Sequence, residues 1–221
     1  MAKLAQAYVH LRLFEVTEGQ LNELGHATEA IAAEVAQRVY RREIFIDVEL
    51  EGGSLKCRVT AIGLLFAAYG VIADYKGFKD SITEMCKDAR EYAYDVCGEV
   101  IKITGASKNE IVSVQRRPMT PGRLSRVIER LERLDAAGGT LNERQRHQEM
   151  QKILQMLEAI KSGLTAKEVD LLDTVLEYRH LPPSQQAPLQ VPEGRPDMPR
   201  VGITPAKRLR YHNRIVVPAK T

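Results

Sequence analysis

Proline divides this chain before any periodicity is read. Eight of its ten prolines lie after residue 181, and the other two, Pro118 and Pro121, stand close together. Proline lacks an amide donor and clashes with the preceding helical turn, so helix and central-strand interiors exclude it. A part that can fold is thereby set apart from a tail that does not fold alone. Charge breaks at the same places. Residues 1–115 carry 13 basic and 17 acidic side chains, a net −4, while residues 116–181 stand at +2. The last forty residues reach +5, with Arg195, Arg200, Lys207, Arg208, Arg210, Arg214 and Lys220 against Glu193 and Asp197. A basic arm on an acidic body implies engagement of an acidic or extended partner.

With 221 residues and 44% hydrophobic content, one or two domains can bury a core. Trp is absent and aromatics make up 5%, so that core draws on Leu, Ile, Val and Ala. Cys57, Cys86 and Cys97 are an odd set without a CxxC pair, which fits a reducing, cytoplasmic setting better than a disulfide scaffold. The N-terminal run is broken by His10 and Arg12 and does not read as a signal peptide. Residues 59–73 are uncharged, but a spanning helix needs about 20 apolar residues, so a buried helix is expected and membrane association is not.

Residues 7–16 alternate and read as a strand. Thr17 and Gln20 stand at capping-box spacing before a helical stripe of Leu21, Leu24, Ile31, Val35 and Val39. The clearest local signal is a hairpin: Ile44, Ile46, Val48 and Leu50 alternate with polar residues, Gly52-Gly53 follows, and Leu55, Cys57, Val59 and Ala61 resume the alternation. Ser81 and Glu84 then mark the start of a helix closed by Gly98, with residues 99–104 and 110–114 as edge strands. Thr120 and Pro121 open a helix that ends at Gly138-Gly139. Thr140 with Glu143 opens a second, and Thr165 with Glu168 a third, which runs to Pro182.

The reading is an α+β fold. A ferredoxin-like β-α-β-β-α-β module (1–115) is followed by a three-helix region (120–181) and an extended Pro/Arg-rich tail (182–221) that orders only when bound. That layout hosts enzymes, RNA binders and interaction modules alike. Glycine-rich phosphate loops, nucleophile elbows and paired-histidine metal motifs are missing from the sequence. No cofactor, metal or catalytic residue is therefore assigned, and a small enzyme ranks as the third hypothesis.

Two groups of residues stand out as binding candidates. Tyr75, Lys76 and Phe78 place aromatic and basic side chains around Gly77 in an expected loop, as recognition surfaces do, although folding back onto the core is the competing expectation. Arg116, Arg117 and Arg123 cluster near a helix start, and Lys207, Arg208, Arg210, Tyr211 and Arg214 form a basic arm with one aromatic; both could take phosphates. The leading expectation is a non-enzymatic interaction or assembly protein, an adaptor or scaffold, whose tail orders on a protein partner or another copy. Nucleic-acid binding through the C-terminal half is the alternative. If the tail instead folds back on the acidic module, its own or a neighbour's, it should be ordered without nucleic acid.

Overall fold

A computed structural model of the chain describes residues 1–12, 16–40, 43–66, 75–176 and 209–219. The first strand, β1 (Ala2–Leu11), is followed by helix α1 (Glu18–Tyr40), which opens with the expected box: Thr17 Oγ1 accepts from Gln20 N–H and Gln20 Oε1 accepts from Thr17 N–H. Strands β2 (Ile44–Glu51) and β3 (Leu55–Gly63) then form the anticipated antiparallel hairpin, with Val48 opposite Val59 and Glu49 opposite Arg58. Gly53 sits at φ +101°, a conformation that a side chain would strain. Helix α2 (Tyr75–Thr104) and strand β4 (Ile111–Arg117) follow, then helices α3 (Met119–Ala137), α4 (Glu143–Lys161) and α5 (Ala166–Leu176), and last strand β5 (Arg210–Val217).

The five strands form one antiparallel sheet in the order β4-β1-β3-β2-β5. With the five helices, this is an α+β fold. The period of two that built the hairpin also sorts its faces. Ile44, Ile46, Val48 and Leu50 are buried, while Phe45, Asp47, Glu49 and Glu51 lie on the opposite side. The inward side chains join those of α1 and α2, and Leu124, Val127, Ile128, Ile153, Leu157 and Leu172 of α3–α5 belong to the same continuous core. Helix α3 packs on both α2 and β1, so the helices beyond residue 118 add to the module's core.

Several local expectations are corrected. Residues 99–104 are the last turns of α2 and not a strand. Val96 and Val100 continue its buried stripe, and Gly98 stays helical, at a cost of about 1 kcal/mol that the burial offsets. Gly105, at φ +62°, follows the helix instead. Ser81 does not cap: it lies inside α2, where its hydroxyl donates to the Gly77 carbonyl at 2.8 Å. Asn142 with Gln145, rather than Thr140 with Glu143, forms the capping box of α4. Strand β1 begins at Ala2 and ends at Leu11, earlier at both ends than the expected 7–16, because alanine-rich residues 2–7 were small enough to pack between strands and helices without an alternating signature.

Of the uncharged run 59–73, residues up to Gly63 belong to β3 and 67–73 lie outside the described residues. Among the described residues no helix is long and apolar enough to cross a membrane. In the tail, residues 210–217 are a strand within the sheet. The expected extended conformation of 182–208 lies outside the described residues.

Candidate interaction site at the β2 edge

Strand β5 runs antiparallel along β2 over its full length, from Ile44 opposite Val217 to Glu51 opposite Arg210. The register aligns charge with charge. Asp47 faces Arg214, Glu49 faces His212 and Glu51 faces Arg210. Asp47 Oδ1 lies 2.9 Å from His212 Nε2 and 3.6 Å from Arg214 Nε. On its other flank the acidic column of β2 meets the basic side chains of β3: Glu49 pairs with Arg58, and Glu51 with Lys56 at 3.3 Å. Three carboxylates thus stand between Arg210, His212 and Arg214 on one side and Arg58 and Lys56 on the other. Directly opposed charges of opposite sign stabilise a strand pair modestly, and a one-residue slip would turn every charge onto the wrong face.

The inward face of β5 supplies a second determinant. Tyr211 lies over α1, where its hydroxyl donates to Glu29 Oε1 and its ring meets His26 edge-on, with centroids 5.6 Å apart. Glu29 is 8% exposed. Burial, then the hydrogen bond to the Glu29 carboxylate, push the Tyr211 phenol up to about 12. Space for the ring comes from Gly25: a Cβ there would stand 2.5 Å from two Tyr211 ring carbons. The neighbouring Gly52 amide donates to the Leu209 carbonyl at 2.9 Å, which pins the entry of β5. Val217, 1% exposed, closes the other end in the core.

Asp47, Glu49 and His212 hold their ligand atoms within 4.8 Å of one another, a spacing that could accept a metal ion. Arg214 at Asp47 and Arg58 at Glu49 already supply the positive charge there, so the cluster is explained as strand-to-strand pairing. The histidines of the described residues do not converge. His10 contacts Ser54 at 3.0 Å, His26 contacts Tyr211, His147 contacts Gln151 at 3.0 Å, and His212 contacts Asp47. A serine–histidine contact serves nucleophilic catalysis when a third group orients the ring and donors await an oxyanion. Across from His10 the sheet instead places Lys56 and Ser113.

The remaining sequence candidates are distributed as follows. Tyr75, Lys76 and Phe78 form the first turn of α2, not a loop. Phe78 is fully buried with its ring 6.0 Å from Phe66, so it belongs to the core, whereas Tyr75 is 39% exposed and Lys76 is exposed. Arg116 and Arg117 are neighbours in β4 and therefore point to opposite faces. Arg117 donates to Gln6 at 3.2 Å on the face away from the helices, while Arg116 lies 4.6 Å above the Tyr94 ring on the helix side. Arg123 is exposed on α3. Of the tail candidates, Arg210, Tyr211 and Arg214 lie in β5, which turns Tyr211 to the inward face and the two arginines to the other, and Lys207 and Arg208 lie outside the described residues.

The participation of Gly25, Glu29 and Asp47 was missed, because nothing local in α1 or β2 announces a strand that arrives from the far end of the chain. A signal did exist. Between Pro205 and Pro218 the tail is free of proline, and Tyr211, Ile215 and Val217 alternate there with Arg210, His212 and Arg214. Comparison with protein-family models, curated proteins and solved structures gives no match for this chain.

Proposed function

We propose that this chain is a non-enzymatic assembly protein whose C-terminal strand is the connecting element and whose β2 edge, with α1, is the receiving site. The observation that carries this reading is the match between β5 and that edge: an eight-residue ladder, a charge column in register, and Tyr211 seated over Gly25. Strand addition of this kind takes affinity from main-chain hydrogen bonds and specificity from alternate side chains. The β-α-β-β-α-β order and the β4-β1-β3-β2 neighbours support a ferredoxin-like scaffold, to which β5 is the addition. Residues 177–209 separate α5 from the strand, and at ~3.3 Å per extended residue covalent geometry allows the strand to reach its own edge or that of a second copy. Both dockings make the same contacts, which is the condition for exchange between copies.

A disulfide trap tests it. Phe45 and Val216 are opposed in the ladder on the face away from the core, and the native thiols are buried. A chain carrying both Phe45→Cys and Val216→Cys should oxidise to a β2–β5 disulfide. An equimolar mixture of the two single variants should give a covalent dimer on a non-reducing gel. Absence of a disulfide from both preparations sinks the receiving site. A disulfide in the double variant with no dimer from the mixture leaves the strand a closure of its own sheet and removes the assembly role.

A further inference from the structure

Helix α2 and the edge strand β4 enclose a second feature, unrelated to the β5 site and at the other end of the sheet. Lys87, Arg90, Glu91, Tyr94, Asp95 and Arg116 line an open cleft of about 540 Å³. The helical spacing of 87, 90 and 94 puts Lys87, Arg90 and Tyr94 on one stripe of α2, and β4 brings Arg116 against that stripe from 22 residues further along the chain. The charge balance is positive in a module whose sequence is acidic overall. Of the two carboxylates, Asp95 is already paired with Arg38 at 2.6 Å, which leaves three cations facing Glu91.

Tyr94 gives the cleft its chemical character. It is 61% exposed, the highest value among the large hydrophobic side chains of the described residues. Arg116 stacks on one side of the ring at 4.6 Å from its centroid, so the ring is held in place and its other side is open to solvent. An exposed aromatic fixed beside several cations pairs a stacking surface with phosphate contacts, which is how proteins hold unpaired nucleotides. An acidic peptide would use the cations and leave the ring idle. A duplex would offer phosphates but hide its base faces. The cleft also matches the lower-middle range of small-ligand pockets, room for about one nucleotide at a time.

We infer that this cleft binds single-stranded nucleic acid, with a base on Tyr94 and backbone phosphate on Lys87, Arg90 and Arg116. The test is fluorescence anisotropy of the full chain with a labelled single-stranded DNA or RNA oligonucleotide, the matching duplex, and an oligoglutamate peptide. Single strands should bind more tightly than either competitor. With three phosphate contacts the slope of log K against log salt should be about −2. Tyr94→Ala should weaken binding roughly 5- to 150-fold while leaving that slope unchanged. Arg116→Gln should weaken binding and make the slope shallower by about 0.7. Both positions are exposed, so folding is checked by unchanged far-ultraviolet circular dichroism. The inference is overturned if single strands fail to bind at about 50 mM salt, where phosphate contacts are little screened. It is equally overturned if Tyr94→Ala binds like the parent, or if oligoglutamate competes as well as the oligonucleotide.

Discussion

Gly25 offers a substitution whose sign should depend on a strand nearly two hundred residues away. The residue is buried inside α1, where replacing glycine by alanine ordinarily stabilises a helix by about 1 kcal/mol. Here the added Cβ would meet Tyr211 ring carbons at 2.5 and 2.6 Å, more than 1 Å inside normal contact. The ring has no flexible end to yield, so Tyr211 must swing off α1. That forfeits its hydrogen bond to the Glu29 carboxylate, worth about 1.5–3 kcal/mol for a charged acceptor. Part of the ring's burial is lost too, about 1 kcal/mol for roughly 40 Å² of apolar surface. Against the helix gain, Gly25→Ala should therefore destabilise the full chain by about 1.5–3 kcal/mol. With Tyr211→Ala already present there is no ring to displace, and the same change should stabilise by about 1 kcal/mol.

The measurable quantity is the coupling, about 2.5–4 kcal/mol in a double-mutant cycle. Urea unfolding followed at 222 nm gives the four stabilities, since the chain has no Trp to report by fluorescence. Hydrogen exchange of the β5 amides provides a local readout and should accelerate in Gly25→Ala alone. If Gly25→Ala has the same effect with and without Tyr211, the two side chains do not share space, and the docking of β5 on α1 is wrong.

Three further outcomes follow from the contacts of β5 and α5. The Tyr211 phenol is raised from 10.0 to about 12, so its contribution is complete below pH 10 and lost as pH rises through about 12. Exchange of β5 amides should therefore show an alkaline release over that window that Tyr211→Phe abolishes. Charge reversal of Asp47, Glu49 and Glu51 to Lys together should open β5 by placing like charges opposite Arg214 and Arg210, and exchange protection of 210–217 should fall while that of β1 remains. Glu168, 6% exposed, accepts from the Thr165 and Leu65 amides and so ties α5 to the end of β3. Glu168→Ala should cost about 2–4 kcal/mol in urea unfolding, whereas a change near zero would mean that this tie is solvent-replaceable.

The parts of the fold legible in the sequence are those in which a local pattern and a local cause coincide. The Gly52-Gly53 hairpin is one: alternation fixed both faces, and Gly53 needed its positive φ. The boxes at Thr17/Gln20 and Thr165/Glu168 are others, being hydrogen bonds between residues three apart. What the sequence misread turned on competition between local rules and distant packing. Gly98 looks like a helix stop, but Val100 is fully buried beyond it, and tertiary burial carries the helix on to Thr104. Phe78 looks like part of a recognition loop because Gly77 and two lysines surround it, yet the helical turn aims it at Phe66. The candidate sites follow the same rule. Arg116 and Arg117 adjoin in sequence and are separated by the pleat. Arg116 and Tyr94 are far apart in sequence and are brought together by the packing of β4 against α2.

Proline, which divided the chain at the outset, also accounts for how the sheet ends. Its two edge strands are β4 and β5, and each is a seam at which another chain could add without limit. Strand β4 finishes in Arg116 and Arg117 and is followed at once by Pro118. Strand β5 carries Arg210 and Arg214 and is followed at once by Pro218. Arginines make each edge repel an identical one, and a proline immediately beyond removes the next donor that would lengthen the ladder. Only the β2 edge beneath β5 carries a column of carboxylates. The acidic edge is therefore built to receive a basic strand, and the strand that fills it presents a basic outer edge in turn. Addition stops after one strand per sheet.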